Sequence, residues 1–439
     1  MFRKTLILLL ITVAITLSAM TWAADGSQPQ SPVEVLTLEQ CLDLAYQNSP
    51  SLKVAQKNLE IAQAQLRQAQ GSFLPTVNYS ITEMKSNDPL ASTNFKSNEY
   101  STGTLSITEK LYTGGMLTAR LEMAKYGLDT ALEEQRKSKL QLAFNVKQAY
   151  YQFWLAQQML EVSKSSYKNA ERRYQQQKAF YEVGNSSKVE LLQAQVQWES
   201  LKPQIINSQN ALDAAKLNLA IILGIGKDRP FTINVDPSKL EFPENVTIFF
   251  ETTLENAYKN RPDMRQMKNS IEISKLNTKM VTAGYKPIIS LSASSQGGSS
   301  DLNPANWKNG SWFTLTFNLS GVLFDGLATQ AKVSEAQKNE ELMAIRGSSL
   351  KDQVQVEIEL AIQNLNANLA AARASQANIT LAKESLRLIQ AKYDAGMATT
   401  MDITDAQLKL DQALNGYYSG LSAYLTALAK LDLVTGTEI

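Results

Sequence analysis

Chemistry in this chain is limited to what carboxylates, amides and hydroxyls can do. The 439 residues include no histidine and one cysteine, Cys41. No histidine-based triad, no Cys/His zinc site and no disulfide within the chain can be assembled from that inventory. Cys41 lies at helical spacing in "LEQCLDLAY" and reads as a small buried hydrophobe. The acids that stand out sit at helix starts. Thr399-x-x-Asp402 and Ser187-x-x-Glu190 both have the spacing of a capping box, in which hydroxyl and carboxylate each satisfy a backbone N–H. Asp405 follows Asp402 at i+3, so the two share a helix face, whereas the counterpart of Asp405 in the earlier motif is Gln193. Without histidine, and without an acid pair outside these turns, an exported hydrolase is disfavoured. The residues imply no cofactor and no metal. A formal net charge of +1 offers no field to attract nucleic acid.

The elements that carry these acids are written twice. "LDLAYQNSP" from Leu42 returns as "LENAYKNRP" from Leu254, an offset of 212. The same offset relates Pro75 to Pro287, Gly114 to Gly326, Tyr181 to Tyr393, Gly184 to Gly396 and Gly224 to Gly436. A constant register over so long a stretch marks a duplicated module. Ahead of it, Arg3, Lys4, the apolar run "TLILLLITVAITLSA" and "TWA" ending at Ala23 read as a signal peptide over 1–23, hence an exported protein. The first repeat is expected over 24–224, with a β-hairpin at about 73–112, a long helix at about 115–181 and a return helix at about 188–223. A linker follows at 225–253. The second repeat occupies 254–439, with a hairpin at about 285–324, a long helix at about 327–393 and a return helix at about 400–435. Leu117 to Tyr181 and Ala328 to Tyr393 lack proline and contain one glycine each, Gly127 and Gly347, and each long helix spans on the order of 100 Å.

The hairpins set the fold. "FTLTFNLS" places Phe313, Leu315, Phe317 and Leu319 on one face and Thr314, Thr316, Asn318 and Ser320 on the other. Apolar outward and polar inward is the pattern of a transmembrane barrel, which must close. One chain supplies four strands, so two chains would give eight and three would give twelve; twelve leave a lumen. The alternative is an exported trimeric coiled-coil stalk or adhesin, for which these strands are only a cap.

Taken together, the duplication, the strand-to-helix motifs "LYTGG" and "LFDGL" and the turn motifs "YEVGNSSKVELLQAQ" and "YDAGMATTMDITDAQ" resemble the TolC family of outer-membrane efflux proteins. The resemblance implies a mainly α fold with a small transmembrane β part. Three chains would form a 12-stranded β-barrel continuous with a periplasmic α-helical barrel. It implies an outer-membrane exit duct of a tripartite efflux or type I secretion system, with a periplasmic adaptor, an inner-membrane pump and outer-membrane lipid as partners. No enzymatic step is expected. The turn motifs would form the periplasmic tip. Asp402 and Asp405 match acids that project into its constriction, where three copies would make carboxylate rings that attract cations and raise one another's pKa. Tyr393 and Glu190 match residues that hold the tip shut. The basic residue some members carry after the second tip glycine would fall at Ala398. Gly184, Ser187, Leu191, Gly396 and Thr399 are the candidates for adaptor docking, and Gly114, Gly115 and Gly326 for the joints between strand and helix.

Overall fold

The computed structural model describes residues 34–85, 99–226, 230–235, 248–299 and 308–437. The segment read as a signal peptide, 1–23, lies outside the described residues, as do 86–98 and 300–307 of the two hairpin loops. A short strand β1 (Glu34–Leu36) leads into α1 (Leu38–Asn48) and α2 (Pro50–Gly71). Strands β2 (Thr76–Lys85) and β3 (Glu99–Tyr112) follow, then the long helix α3 (Met116–Glu182) and its return, α4 (Lys188–Ser200) and α5 (Lys202–Leu223). After β4 (Phe231–Ile233) the plan repeats. It runs through α6 (Phe250–Asn260), α7 (Pro262–Thr282), β5 (Ile288–Ser299), β6 (Lys308–Ser320), α8 (Ala328–Asp394) and α9 (Thr400–Thr435).

The two hairpins join into one antiparallel sheet in the order β2-β3-β5-β6. Register fixes its two faces. Val77, Ile107, Ala293 and Leu315 lie side by side across the four strands, and the adjacent row is Asn78, Ser106, Ser294 and Thr314. One face is thus a band of exposed Val, Ile, Leu and Phe, and the other is almost wholly Ser, Thr and Asn. Among the described residues no helix is long and apolar enough to cross a membrane. Strand β5 runs to Ser299, further than the alternating pattern indicates, because Gly297 and Gly298 continue the ladder against β3 where a polar loop is read.

Helices α3 and α8 have 67 residues each, and their bounds obey the repeat offset. Both begin from a left-handed turn. Gly114 (φ 66°) and Gly115 (φ 95°) turn the chain out of β3; Gly326 (φ 67°) and Leu327 (φ 69°) do the same after β6. Leu327 is the non-glycine residue with positive φ among those described, a conformation that costs an L-residue roughly 1–2 kcal/mol. Asp325 supports that turn by accepting from the Thr329 N–H (2.8 Å) and hydroxyl (2.6 Å). At the first joint Gly114 has no room for a side chain: a Cβ would stand 2.9 Å from Lys286 Cβ and 3.0 Å from the Ala283 oxygen.

The return helix of the first copy, read as one run, is interrupted at Leu201. Pro203 has no N–H to give to the preceding turn and its ring crowds that turn's carbonyl. Its counterpart is Asn415, and α9 is continuous there.

The core lies where α1, α3, α5, α8 and α9 meet, around Leu36, Cys41, Val146, Trp154, Leu219 and Leu365. Burial pushes the Cys41 thiol up to about 12, so it stays a neutral apolar group. Parallel pairing of β1 with β4 ties the start of the chain to the linker, and Phe231 meets Phe153 edge to face at 5.9 Å. Arg136 joins the two copies, and Arg261 ties elements of the second to one another. Arg136 of α3 donates to the Asn260 oxygen at the end of α6 (2.8 Å) and the Gly436 oxygen at the end of α9 (2.9 Å). Arg261 binds both oxygens of Asp263, Glu357 of α8 and the Val434 carbonyl.

Candidate functional site

The far ends of the long helices are two turns of the same design. In the first, the Asn185 N–H bonds back to the Phe180 oxygen at 2.8 Å across Gly184 (φ 79°). In the second, Met397 N–H reaches the Lys392 oxygen at 2.8 Å across Gly396 (φ 74°). Each is the left-handed helix ending that glycine makes cheap. Three residues on, each chain segment re-enters a helix through a capping box. Ser187 N–H donates to Glu190 Oε2 (3.0 Å) and Glu190 N–H to Ser187 Oγ (3.2 Å). Thr399 gives its N–H and hydroxyl to Asp402 Oδ2 at 2.7 Å each and accepts from the Asp402 N–H at 3.3 Å.

These bonds favour the acids' ionised forms. Glu190 is held below the usual carboxylate range by the Ser187 backbone N–H and then the Ser186 hydroxyl. The Thr399 N–H and hydroxyl hold Asp402 low in the same way. Within one chain the shift of Asp402 is therefore opposite to the rise that crowding of like charges implies, because a cap donates to the ionised form. Asp405 is placed differently. Lys409, one turn on, stands 2.6 Å from its Oδ2.

Tyr393 and Glu190 are connected, but not to each other. Gln177 of α3, 5% exposed, lies between them. Its Nε2 donates to the Tyr393 hydroxyl (2.7 Å) and to Thr400 Oγ1 (3.1 Å), and its Oε1 accepts from Ser186 (2.9 Å), whose hydroxyl also reaches Glu190 Oε2 at 2.7 Å. Turning the amide over lets its oxygen accept from both hydroxyls of the second copy and its nitrogen donate to Ser186, leaving the single Ser186 proton for Glu190. Either way one buried amide ties α3, α8, α9 and the first turn. Tyr181, the counterpart of Tyr393, is 41% exposed.

A second buried contact crosses from α3 to α9. Asp411 accepts from Ser166 at 2.5 Å and from Gln407 at 2.8 Å. Burial raises its pKa in spite of these bonds and of the Arg173 charge.

The sequence pattern brings Gly184, Ser187 and Leu191 to the first turn and Gly396, Ala398 and Thr399 to the second, all at the same end of the helix pair. It misses Gln177, Ser186 and Asp411. The duplication holds the signal for two of them: at the same offset Gln177 becomes Ile389 and Ser186 becomes Ala398, so polar residues break the match where one copy meets the other, whereas Asp411 matches another acid, Glu199, and gives no such sign.

Residues 41–225 and 253–437 each match the family described as Outer membrane efflux protein. Among curated relatives, the chain is 24% identical over 325 residues to Outer membrane protein TolC of Vibrio cholerae, covering 71% of this chain and 72% of that protein. It is 24% identical to the pyoverdine export outer membrane protein OpmQ of Pseudomonas putida, with 86% and 80% covered. Of solved structures, CusC superposes with a TM-score of 0.79 at 20% identity, covering 91% of this chain and 92% of that one.

Proposed function

The chain belongs to the outer membrane efflux protein family, and from that premise we propose how its geometry works as an exit duct. It resides in the outer membrane with a large periplasmic part, and it is a conduit, not an enzyme. It acts with other components in a tripartite system. The observation that carries the finer reading is the four-stranded sheet. It has one apolar face and one hydroxyl-lined face, and β2 and β6 are left as open edges. Open edges are intolerable in lipid. Three copies close them, β6 of one chain against β2 of the next, into a twelve-stranded barrel with a polar lumen. The 67-residue helices extend that lumen by about 100 Å through the periplasm.

The tips are the gate. A periplasmic adaptor engages the turns around Gly184, Ser187, Leu191, Gly396 and Thr399 and draws α8 and α9 away from α3. That motion parts Gln177 from Tyr393 and Thr400, and Ser166 from Asp411. Asp402 is a cap first and a lining charge second. Asp405 lines the constriction, and Lys409 offsets much of its charge. The inner-membrane pump supplies the energy, since no group at the tips can do covalent work.

The test is conductance of the purified protein in planar bilayers. A closed or low-conducting trimer that opens when the Gln177 network is cut supports the reading. Absence of channels from both wild type and network variants overturns it.

A further inference from the structure

One groove is built twice, once in each module. In the first copy α1, α2 and α3 enclose about 560 Å³, and in the second α6, α7 and α8 enclose about 690 Å³. Their linings correspond at the offset of 212: Tyr46 becomes Tyr258, Lys53 becomes Arg265 and Lys139 becomes Lys351. Lys53, Lys57, Arg136 and Lys139 line the first groove, and Lys259, Arg265, Lys268 and Lys351 line the second. Half of these cations hold matching positions and half do not. Lys57 and Arg136 give way to Asn269 and Ser348, while Lys259 and Lys268 stand where the first copy has Gln47 and Gln56. The charge is kept although the residues supplying it differ, which packing alone does not require.

Little in the protein answers this charge. Among the described residues the lining holds one carboxylate, Glu272, and Lys275 takes it at 2.8 Å. Lys57 pairs with Glu60 and Arg265 with Glu133, and Arg136 is occupied at two helix ends. Lys53, Lys268 and Lys351 form no ion pair among the described residues. Cations gathered without counter-charge raise the local concentration of anions.

Side and height narrow the ligand. On α3, Leu132, Arg136 and Lys139 run on at helical spacing into Val146, Tyr150 and Phe153, which lie in the core with Cys41 of α1 and Phe231 of β4. On α8, Ala344, Ser348 and Lys351 run on into Val354 and Ile358, which cluster with Ala257 of α6. Both grooves therefore open on the side where the extra layer is stacked, and a conduit keeps that layer out of its lumen. From Met116 at the start of α3 to Leu132 and Lys139 is roughly 25 to 35 Å, and the repeat sets the second groove at the same height on α8.

We propose that these grooves bind the acidic peptide stems of the periplasmic cell wall and so tether the duct where it passes through the mesh. Lys53, Lys268 and Lys351 meet the free carboxylates of the stems. Tyr46 with Leu52, and Tyr258 with Met264, give their alkyl parts an apolar bed. Lipid headgroups are out of reach at this depth, and a lone small anion would not fill either groove. A protein docked once would leave the other groove idle. A polymer that repeats its carboxylates around the tube uses both grooves of every chain, with the gain that linked weak sites bring. A count of six such sites rests on the duct reading; the pair within one chain does not.

The test sediments the detergent-solubilised full chain with purified cell-wall sacculi. Sacculi with amidated carboxylates and chitin, an uncharged glycan, serve as comparisons. Native sacculi should retain about tenfold more protein than either, and release it as salt rises. Lys53→Gln with Lys268→Gln and Lys351→Gln should abolish the difference, and Lys53→Gln alone should reduce it. Soluble polyglutamate at equal carboxylate concentration should compete poorly. Equal retention on amidated sacculi or chitin, or full retention of the triple variant, overturns the proposal. Complete release by polyglutamate also overturns it, because any acidic chain would then serve. Bilayer conductance of the same preparations separates the two readings, and the triple variant should conduct like wild type. Channels without a preference for native sacculi sink the grooves alone, whereas absence of channels from both preparations sinks the duct.

Discussion

Gln177 of α3 stands 2.7 Å from the Tyr393 hydroxyl of α8, and the residue that duplicates Gln177 in the second copy is Ile389. One side of a near-symmetric tip therefore carries a polar tie and the other carries an apolar side chain. Replacing Gln177 with Ile, the residue its own repeat uses, removes the tie with a side chain the fold already accommodates. Net hydrogen bonds are worth about 1 kcal/mol each, and stranded buried partners cost more. The open population should rise about tenfold, read as bilayer open time. Tyr393→Phe should act less strongly, and the double variant should fall short of the sum, because both remove the same bond.

Ion selectivity should respond to Asp405 and Lys409 in opposite directions. Asp405→Ala leaves Lys409 without its partner and should lower the cation-to-anion permeability ratio. Lys409→Ala frees the carboxylate and should raise it. Reversal potentials in asymmetric salt measure both. If neither variant moves the ratio, the constriction is lined by other residues. Asp402→Ala should instead loosen the helix start, since its carboxylate is occupied by Thr399.

The joints differ in what they tolerate. Gly114→Ala must push a Cβ into Lys286 and Ala283, whereas Gly326→Ala meets nothing within 4 Å and bears only the left-handed strain. The first should block assembly or cost several kcal/mol, by overpacking added to strain; the second should cost about 1 kcal/mol. Recovery of folded trimer and its thermal transition distinguish them. Equal effects would mean that backbone conformation alone governs both joints.

Asp411 predicts a pH dependence of definite sign. Its folded pKa is raised, chiefly by burial, so between its unfolded and folded values the folded state binds more protons than the unfolded state. Stability from this group is complete below the unfolded value, about 3.9, and declines as pH rises through the folded one. Asp411→Asn keeps the shape and removes the titration. The variant should equal wild type in acid and become the more stable as pH climbs, in thermal melts across that range. Glu190 and Asp402 work the other way: their caps are present above the ordinary carboxylate range and are lost only as pH falls through their lowered values.

Much of the fold is legible in the sequence because it is local or repeated. Glycine at a left-handed helix end, serine or threonine three residues before an acid, and strict alternation in "FTLTFNLS" each depend on a few neighbours. The offset of 212 then supplies confirmation twice over, and the resemblance to efflux ducts rests on that order. What the pattern misses depends on which helix lies beside which. Gln177 stands in "YQQQK" among glutamines of equal appearance, and only the packing of α3 against α8 and α9 buries one of them. Leu327 gives no warning of a left-handed backbone, since leucine ordinarily avoids it. The break at Leu201 is announced by Pro203, yet a proline in the first turn of a helix and one that splits a longer run look alike until the chain is folded.

Arg136 also bears on the history of the molecule. It belongs to the first copy, yet it caps two helix ends of the second, at Asn260 and Gly436. Its own duplicate is Ser348, which cannot return the service. The second half expressed alone would lose the donor at both of these helix ends, while in the first half Arg136 would keep only Glu133, 3.5 Å away on its own helix. The dependence runs one way, so at these two helix ends the second module leans on the first and gives nothing back in kind.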